Sequence, residues 1–518
     1  MVTIVPGPRA AIRAAVLLVA LLALPAPAAA AEEGEVDDWF AQFHDGKKAG
    51  WGRLRRTKSE EGGRAVWVTE TEGRVRVGEG TTMRSATRVV EDGEGSVLSY
   101  RTSVEFDGGP PPQRREGVVE KGVVRAVEDG KAREVPYPRG ALGPAAVHRA
   151  IVKSLDPGAG GEVIAFQPID ATGRPTRWKV AKSTELTDVL GRHLWLTRVE
   201  RSEDGGLQEL SLMGPGRREF AGANNLGAWQ WFLTEESVAK ADADPAALLA
   251  PAVVEPDRPV PVEPKPTRGR YRLSRGGRPL GDLPEGGAQR VVERAADGAS
   301  AIVEVVFVEP PSGTAIARPQ APKPETARWL AATPLIELEH PRLQRFSADA
   351  IGGLINSLRS ARMIELAVKE YLHPAPAGVG FATACEAISS ATGDSSEAAV
   401  LAAGLARAAG IPSRLVAGVV YWDATTWKGA PRPRGAFALH FWTEVLVADG
   451  VWFPLDPMRM DGTRPRKGVD ELEGHGGFDA THVALLVSDL ATERPFTEIA
   501  KPVLEFLDGL SVEVLDPR

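Results

Sequence analysis

The sequence predicts an α+β multidomain protein: a large antiparallel β-rich N-terminal domain, then a C-terminal core joining helices to a few strands. Three observations predict it. From about Trp39 to Glu235, segments mixing β-branched and aromatic residues recur between Gly-, Asp- and Glu-containing turns. Two proline-rich stretches, Pro245–Pro266 and Pro310–Pro324, interrupt that pattern. From Glu325 onward, apolar residues recur at helical spacings instead. The 518 residues leave room for roughly two to four domains.

Composition excludes several function classes. Hydrophobic residues make up 43% and charged residues 25%, the balance of a folded chain. The net charge of −7 gives no electrostatic case for binding nucleic acid. A single cysteine excludes an intrachain disulfide and any Cys-rich zinc module. No apolar run after residue 30 reaches the roughly 18–20 residues that would span a bilayer, so no membrane span is expected in the mature chain.

Residues 1–31 read as a secretory signal peptide. Arg9 and Arg13 precede the apolar run Ala14–Leu24, Pro25 and Pro27 break it, and Ala28–Ala31 offers small-residue cleavage sites. Export to the periplasm or the medium follows as an expectation, and the Ala/Arg/Gly/Pro-rich usage suggests a bacterial source. Residues 32–244 form the β-rich domain, with Ala65–Thr71, Val97–Phe106 and His193–Glu200 as clear strands and one helix near Ala145–Leu155. The strand count predicts a strongly curved sheet, which could hold an apolar ligand. His44, His148 and His193 are isolated and read as surface or satisfied core histidines. Residues 245–268 read as an extended linker, because proline at that density opposes helix and central strand. Residues 269–324 read as a small β module, with Ala301–Val308 its clearest strand and a proline-rich connection after it. Residues 325–518 form the C-terminal domain.

The chemistry concentrates between Phe381 and Asp456. Asp394 is a suitable N-cap, and Glu397 lies at capping-box spacing behind it. The helix they open runs to about Ala409, and Gly410 ends it before Ile411-Pro412. Ser413–Tyr421, Phe437–Val447 and Val451–Leu455 read as strands, with Asp449-Gly450 a hairpin turn. Ser395 thus sits at a helix N-terminus, His440 on a strand, and Asp456 at the end of the next strand. The hairpin can hold His440 beside Asp456 and fix the imidazole tautomer. A thiol at the helix N-terminus would be acidified by unpaired backbone N–H groups and the helix dipole, so the pattern suits a Cys–His–Asp centre.

The stretches GDSSEAAVLAAGLARAAGIPSRLVAGVVY, FALHFWTEV and GVWFPLDP resemble, in order, the motifs of the transglutaminase-like superfamily, a papain-like fold. The resemblance implies thiol acyl transfer or amide hydrolysis on peptide or protein substrates, cell-wall peptide included; no cofactor or metal is expected, since the sequence holds no EF-hand loop or phosphate-cradling Gly motif. It places the family's nucleophilic Cys on Ser395, its base on His440 and its orienting carboxylate on Asp456. A His often found three residues beyond the nucleophile falls on Ala398. A hydroxyl cannot form the resting ion pair of a thiolate, so the expected function is a catalytically impaired member that binds peptide or amide ligands. One alternative is an active serine variant using Ser395, His440 and Asp456; another is a ligand-binding role in the N-terminal domain. Cys385 shares a helical face with Phe381 and Ile388 and reads as a core residue. His475 and the Asp479/His482 pair lack a third ligand at a usual metal spacing, and His482 reads as a loop tie.

Overall fold

The computed structural model describes residues 35–517, apart from 79–80, 110, 204–207, 215–216, 225–228, 308–315, 428 and 461–475. The signal-like segment 1–31 and His475 lie outside the described residues. The chain divides into two compact units, with the main boundary between Asp244 and Pro245.

The first unit is a single sheet of fifteen strands among the described residues. Its first strand, Val36–His44, pairs antiparallel with Lys47–Glu61 on one side and with Trp229–Thr234 on the other. From that seam the strand order runs outward in both directions. The curvature expected from the strand count is present. Val124 and Ala126, near one end of the sheet, share a buried cluster with Ala141 and Phe166, near the other end. Among the described residues, the one helix of eight or more residues in this unit, Pro144–Lys153, lies close to where the sequence places it. Its N-terminal N–H groups, which have no partner within the helix, are taken up by Glu91, which accepts from Ala145 N at 3.0 Å and Ala146 N at 2.7 Å. Apolar clusters fill the sheet's interior, together with buried polar groups such as Asp38, Arg56 and Glu91.

Glu219 is one of those buried groups, and it makes the first unit's stability depend on pH. It accepts from Trp231 Nε1 at 2.6 Å. Burial pushes its carboxyl up from 4.5 to about 8, against the opposing pull of Arg201. The folded state therefore holds a proton that the unfolded chain releases. The resulting stabilisation is fully present below pH 4.5 and is lost as pH rises through about 8. Glu219→Gln should flatten that dependence, raising urea stability at about pH 9 by on the order of a few kcal/mol while changing little at about pH 4. Equal urea midpoints for wild type and variant at the high pH would contradict this.

The second unit takes in the proline-rich stretch that the sequence suggests is an extended linker. Pro245–Leu248 forms a helical turn and Ala250–Ala252 a 3₁₀ turn, and Val253–Val254 pairs with Ala438 and Phe437. Proline is tolerated in the first turn because its missing N–H would have had no partner there. The small β module does not stand alone either. Arg268–Ser274, Gln289–Arg294 and Ser300–Val306 are joined by the C-terminal strand Ser511–Pro517, which pairs with Arg268–Ser274 and completes a four-stranded sheet.

The rest of the unit is a helical layer on a mixed-length sheet. Pro341–Ile351, Ser357–Tyr371 and Ala384–Ser390 surround the helix Ser395–Ala408, whose residues Ser396 to Arg407 are all buried. Gly404 permits the close approach, since a Cβ there would lie 3.0 Å from that of Ala384. Beneath lie the strands Ser413–Trp422, Ala436–Ala448, Val451–Leu455 and Val483–Ser488. Ala436–Ala448 pairs with both Ser413–Trp422 and Val451–Leu455, and Val483–Ser488 pairs with the far edge of Ser413–Trp422. Gly450 turns the hairpin at φ 70°.

Candidate active site

The Ser395 helix begins with the expected capping box. Asp394 accepts from Ser396 N at 2.7 Å, and Glu397 accepts from Asp394 N at 3.0 Å. Glu397 also accepts from Ala382 N at 3.0 Å. Burial, and then the neighbouring Asp394, push the Glu397 carboxyl well above its usual range, and its two backbone partners tie the helix start to the segment before Thr383. Ser395 is the first residue of this helix and is half-buried. Its Oγ accepts from the backbone N–H of Phe441 at 3.4 Å. That contact joins the helix start to the residue directly after His440. Ala398, one turn further on, is buried and apolar.

His440 and Asp456 meet across the hairpin. His440 Nε2 lies 2.7 Å from Asp456 Oδ2, with both side chains buried. The same carboxylate oxygen lies 2.9 Å from Nε2 of His482. The other ring nitrogen of His482 faces Asp479, 2.9 Å from its backbone oxygen and 3.2 Å from its carboxylate. Asp479 in turn accepts from Thr481 N at 2.9 Å and from Arg459 at 3.4 Å. His482 thus ties its own loop, as the sequence suggests, and in addition reaches the carboxylate behind His440.

A glycine makes room for this convergence. Gly418 is the cross-strand neighbour of His440 on one side and of Ala484, two residues after His482, on the other. A Cβ at Gly418 would lie 2.1 Å from the Val483 carbonyl and 3.0 Å from the Trp442 ring. Trp442, on the same strand face as His440, packs edge-on to His482 at 5.2 Å, and Phe478 lies 4.3 Å from the same imidazole. Trp452 packs instead against Trp329 and Arg414.

A second buried carboxylate fixes the backbone of Asp456. Glu365 Oε1 accepts from Asp456 N at 2.9 Å and from Gly477 N at 3.0 Å, and its other oxygen lies 3.2 Å from Arg362. The sequence reading missed Glu365. A signal for it exists: Leu358, Ala361, Glu365 and Val368 share one buried helical stripe, and a carboxylate on such a stripe must find donors.

The charges balance within the cluster. Burial raises the Asp456 carboxyl, but His440 and His482 outweigh it and hold Asp456 well below the usual carboxylate range. Asp479 is depressed in the same way, its burial outweighed by His482 and Arg459. Burial disfavours the His482 imidazolium, yet Asp456 and Asp479 together raise its pKa. The carboxylate behind His440 is therefore shared with a second imidazole. Cys385 takes no part. It is buried on the short helix Ala384–Ser390, and burial, with Glu337 nearby, pushes its thiol up to about 12.

Residues 344–457, which include Ser395, His440 and Asp456, match the family model described as the transglutaminase-like superfamily. The chain carries a transglutaminase-like domain. Among solved structures, the chain is similar to a candidate cysteine protease from Cytophaga hutchinsonii, at 12% identity over 44% of this chain and 81% of that one, with a TM-score of 0.28. It is similar to the periplasmic domain of TgpA from Pseudomonas aeruginosa, solved bound to ethylmercury, at 15% identity over 41% and 93%, with a TM-score of 0.23. A β-barrel-like protein from Brucella abortus is 13% identical over 39% of this chain and 95% of its own, with a TM-score of 0.29. Likenesses at such TM-scores carry no argument about this chain. No curated protein matches it. Among the described residues no helix is long and apolar enough to cross a membrane.

Proposed function

We propose that the transglutaminase-like domain is a catalytically impaired member of its superfamily, which binds peptide or acyl-amide ligands where the Ser395 helix meets the His440 strand, in an exported protein of the cell envelope. The observation that carries this reading is the hydrogen bonding of Ser395. Its hydroxyl accepts from Phe441 N–H and has no hydrogen bond to His440 among the described residues. A serine nucleophile must lose its proton to a base within about 2.6–3.2 Å as it attacks. The Phe441 N–H instead draws electron density from the oxygen. The base is weakened as well, because His482 shares the Asp456 carboxylate that would stabilise a protonated His440. A thiol in this seat would need neither aid to the same degree.

A serine enzyme remains the second reading, and the short His440–Asp456 contact favours it. Labelling with a serine-reactive fluorophosphonate separates the two. The expected result is no adduct on wild type beyond that on Ser395→Ala. An adduct on wild type that disappears in Ser395→Ala would establish the serine enzyme.

A further inference from the structure

We infer that His440, Asp456 and His482 form a binding site for one divalent transition-metal ion of the zinc class. The inference goes beyond the reading of Ser395 and does not depend on it. The ligand atoms of the three residues lie within 4.8 Å of one another, and all three side chains are buried. Two imidazole nitrogens and one carboxylate oxygen are a donor set suited to zinc. Both histidines present the same atom, Nε2, to the same carboxylate oxygen. A hydrogen-bonded dyad needs one imidazole, so the second is surplus to the orienting role.

Two further observations point to an ion. The first is the support behind His482. Its Nδ1 faces the Asp479 backbone oxygen and carboxylate, and Thr481 and Arg459 hold Asp479 in turn. A carboxylate behind the distal ring nitrogen is the outer support usual for a metal-bound histidine, since it leaves Nε2 as the donor. The second is Trp442. Its indole Nε1 is buried without a hydrogen-bond partner, on a ring packed edge-on to His482 and on the same strand face as His440. A buried orphan donor calls for an acceptor, and a water completing the ion's coordination would supply one.

The ion favours a low coordination number. Asp456 Oδ1 already accepts from Met458 N at 3.1 Å, so the carboxylate binds through one oxygen. Phe478 and Trp442 flank His482, leaving little space for further ligands. Once His440 Nε2 is a metal ligand, its proton resides on Nδ1, and the imidazole no longer serves as a base toward Ser395. An occupied site would therefore block hydroxyl catalysis.

The test uses the tag-free chain, stripped with chelator and then given Zn²⁺ or Co²⁺. About one Zn²⁺ per chain should survive gel filtration, and Co²⁺ should give the intense visible bands of a low-coordinate site. His482→Gln should abolish both, while Asp479→Asn should weaken binding by roughly 10–100-fold. Zn²⁺ should raise the thermal midpoint of wild type and leave that of His482→Gln unchanged. Should His482→Gln fail to fold, Asp479→Asn and His440→Gln carry the same comparison. Substoichiometric Zn²⁺ on wild type, or undiminished binding in the folded variants, overturns the inference. Fluorophosphonate labelling reads Ser395 alone, so the two proposals fail separately.

Discussion

Ser395→Cys is expected to create a thiol that alkylates with iodoacetamide at neutral pH, far faster than Cys385. The introduced sulfur would stand at the first position of a fourteen-residue helix, where the dipole favours negative charge. The Phe441 N–H that now reaches the Ser395 oxygen would donate to the thiolate. His440, held by Asp456, lies one residue away along the strand. Together these should bring the thiol from about 8.5 to below about 7. Cys385 is the internal reference, because burial pushes its own thiol up to about 12. The rate of alkylation against pH gives the value. A thiol in the variant titrating near the unperturbed value would show that helix, N–H and imidazole do not converge on this position.

Asp456→Ala should destabilise the second unit by about 3–5 kcal/mol, the cost of stranding buried charge without its partner. The carboxylate serves two imidazoles at once, and its backbone N–H is bound by Glu365. Removing it leaves His482 beside Asp479 alone and His440 with no carboxylate. Asp456→Asn keeps the shape and an acceptor while losing the charge, so it should cost less. Urea unfolding of the three proteins gives the comparison. A loss below about 1 kcal/mol for Asp456→Ala would mean that the cluster is solvated rather than buried, contrary to its burial here.

The parts of this site that a sequence shows are the local ones. Asp394 and Glu397 cap their own helix three residues apart, so spacing alone reveals them. The three strands after Gly410 carry β-branched and aromatic residues of their own, and Asp449-Gly450 closes the hairpin that brings His440 to Asp456. What spacing hides is set by pairing at a distance. His482 reaches Asp456 because Val483–Ser488 adds to the far edge of the Ser413–Trp422 strand, a choice no periodicity records. Glu365 works through backbone N–H groups of residues that lie far along the chain. The C-terminal strand Ser511–Pro517 joins the small β module from more than two hundred residues away, which is why that module reads as separate in the sequence. Pro245–Leu248 shows a subtler limit: proline density argues against long helices but not against a single turn that begins on proline.

The central claim is that Ser395 occupies a nucleophile's seat without a nucleophile's reactivity, and acyl transfer from an activated ester tests it most directly. Wild type and Ser395→Cys are mixed with the ester and read by intact mass and peptide mapping. The account predicts one acyl group on the variant, at position 395, and none on wild type. A stable acyl group on Ser395 of the wild-type chain would contradict it.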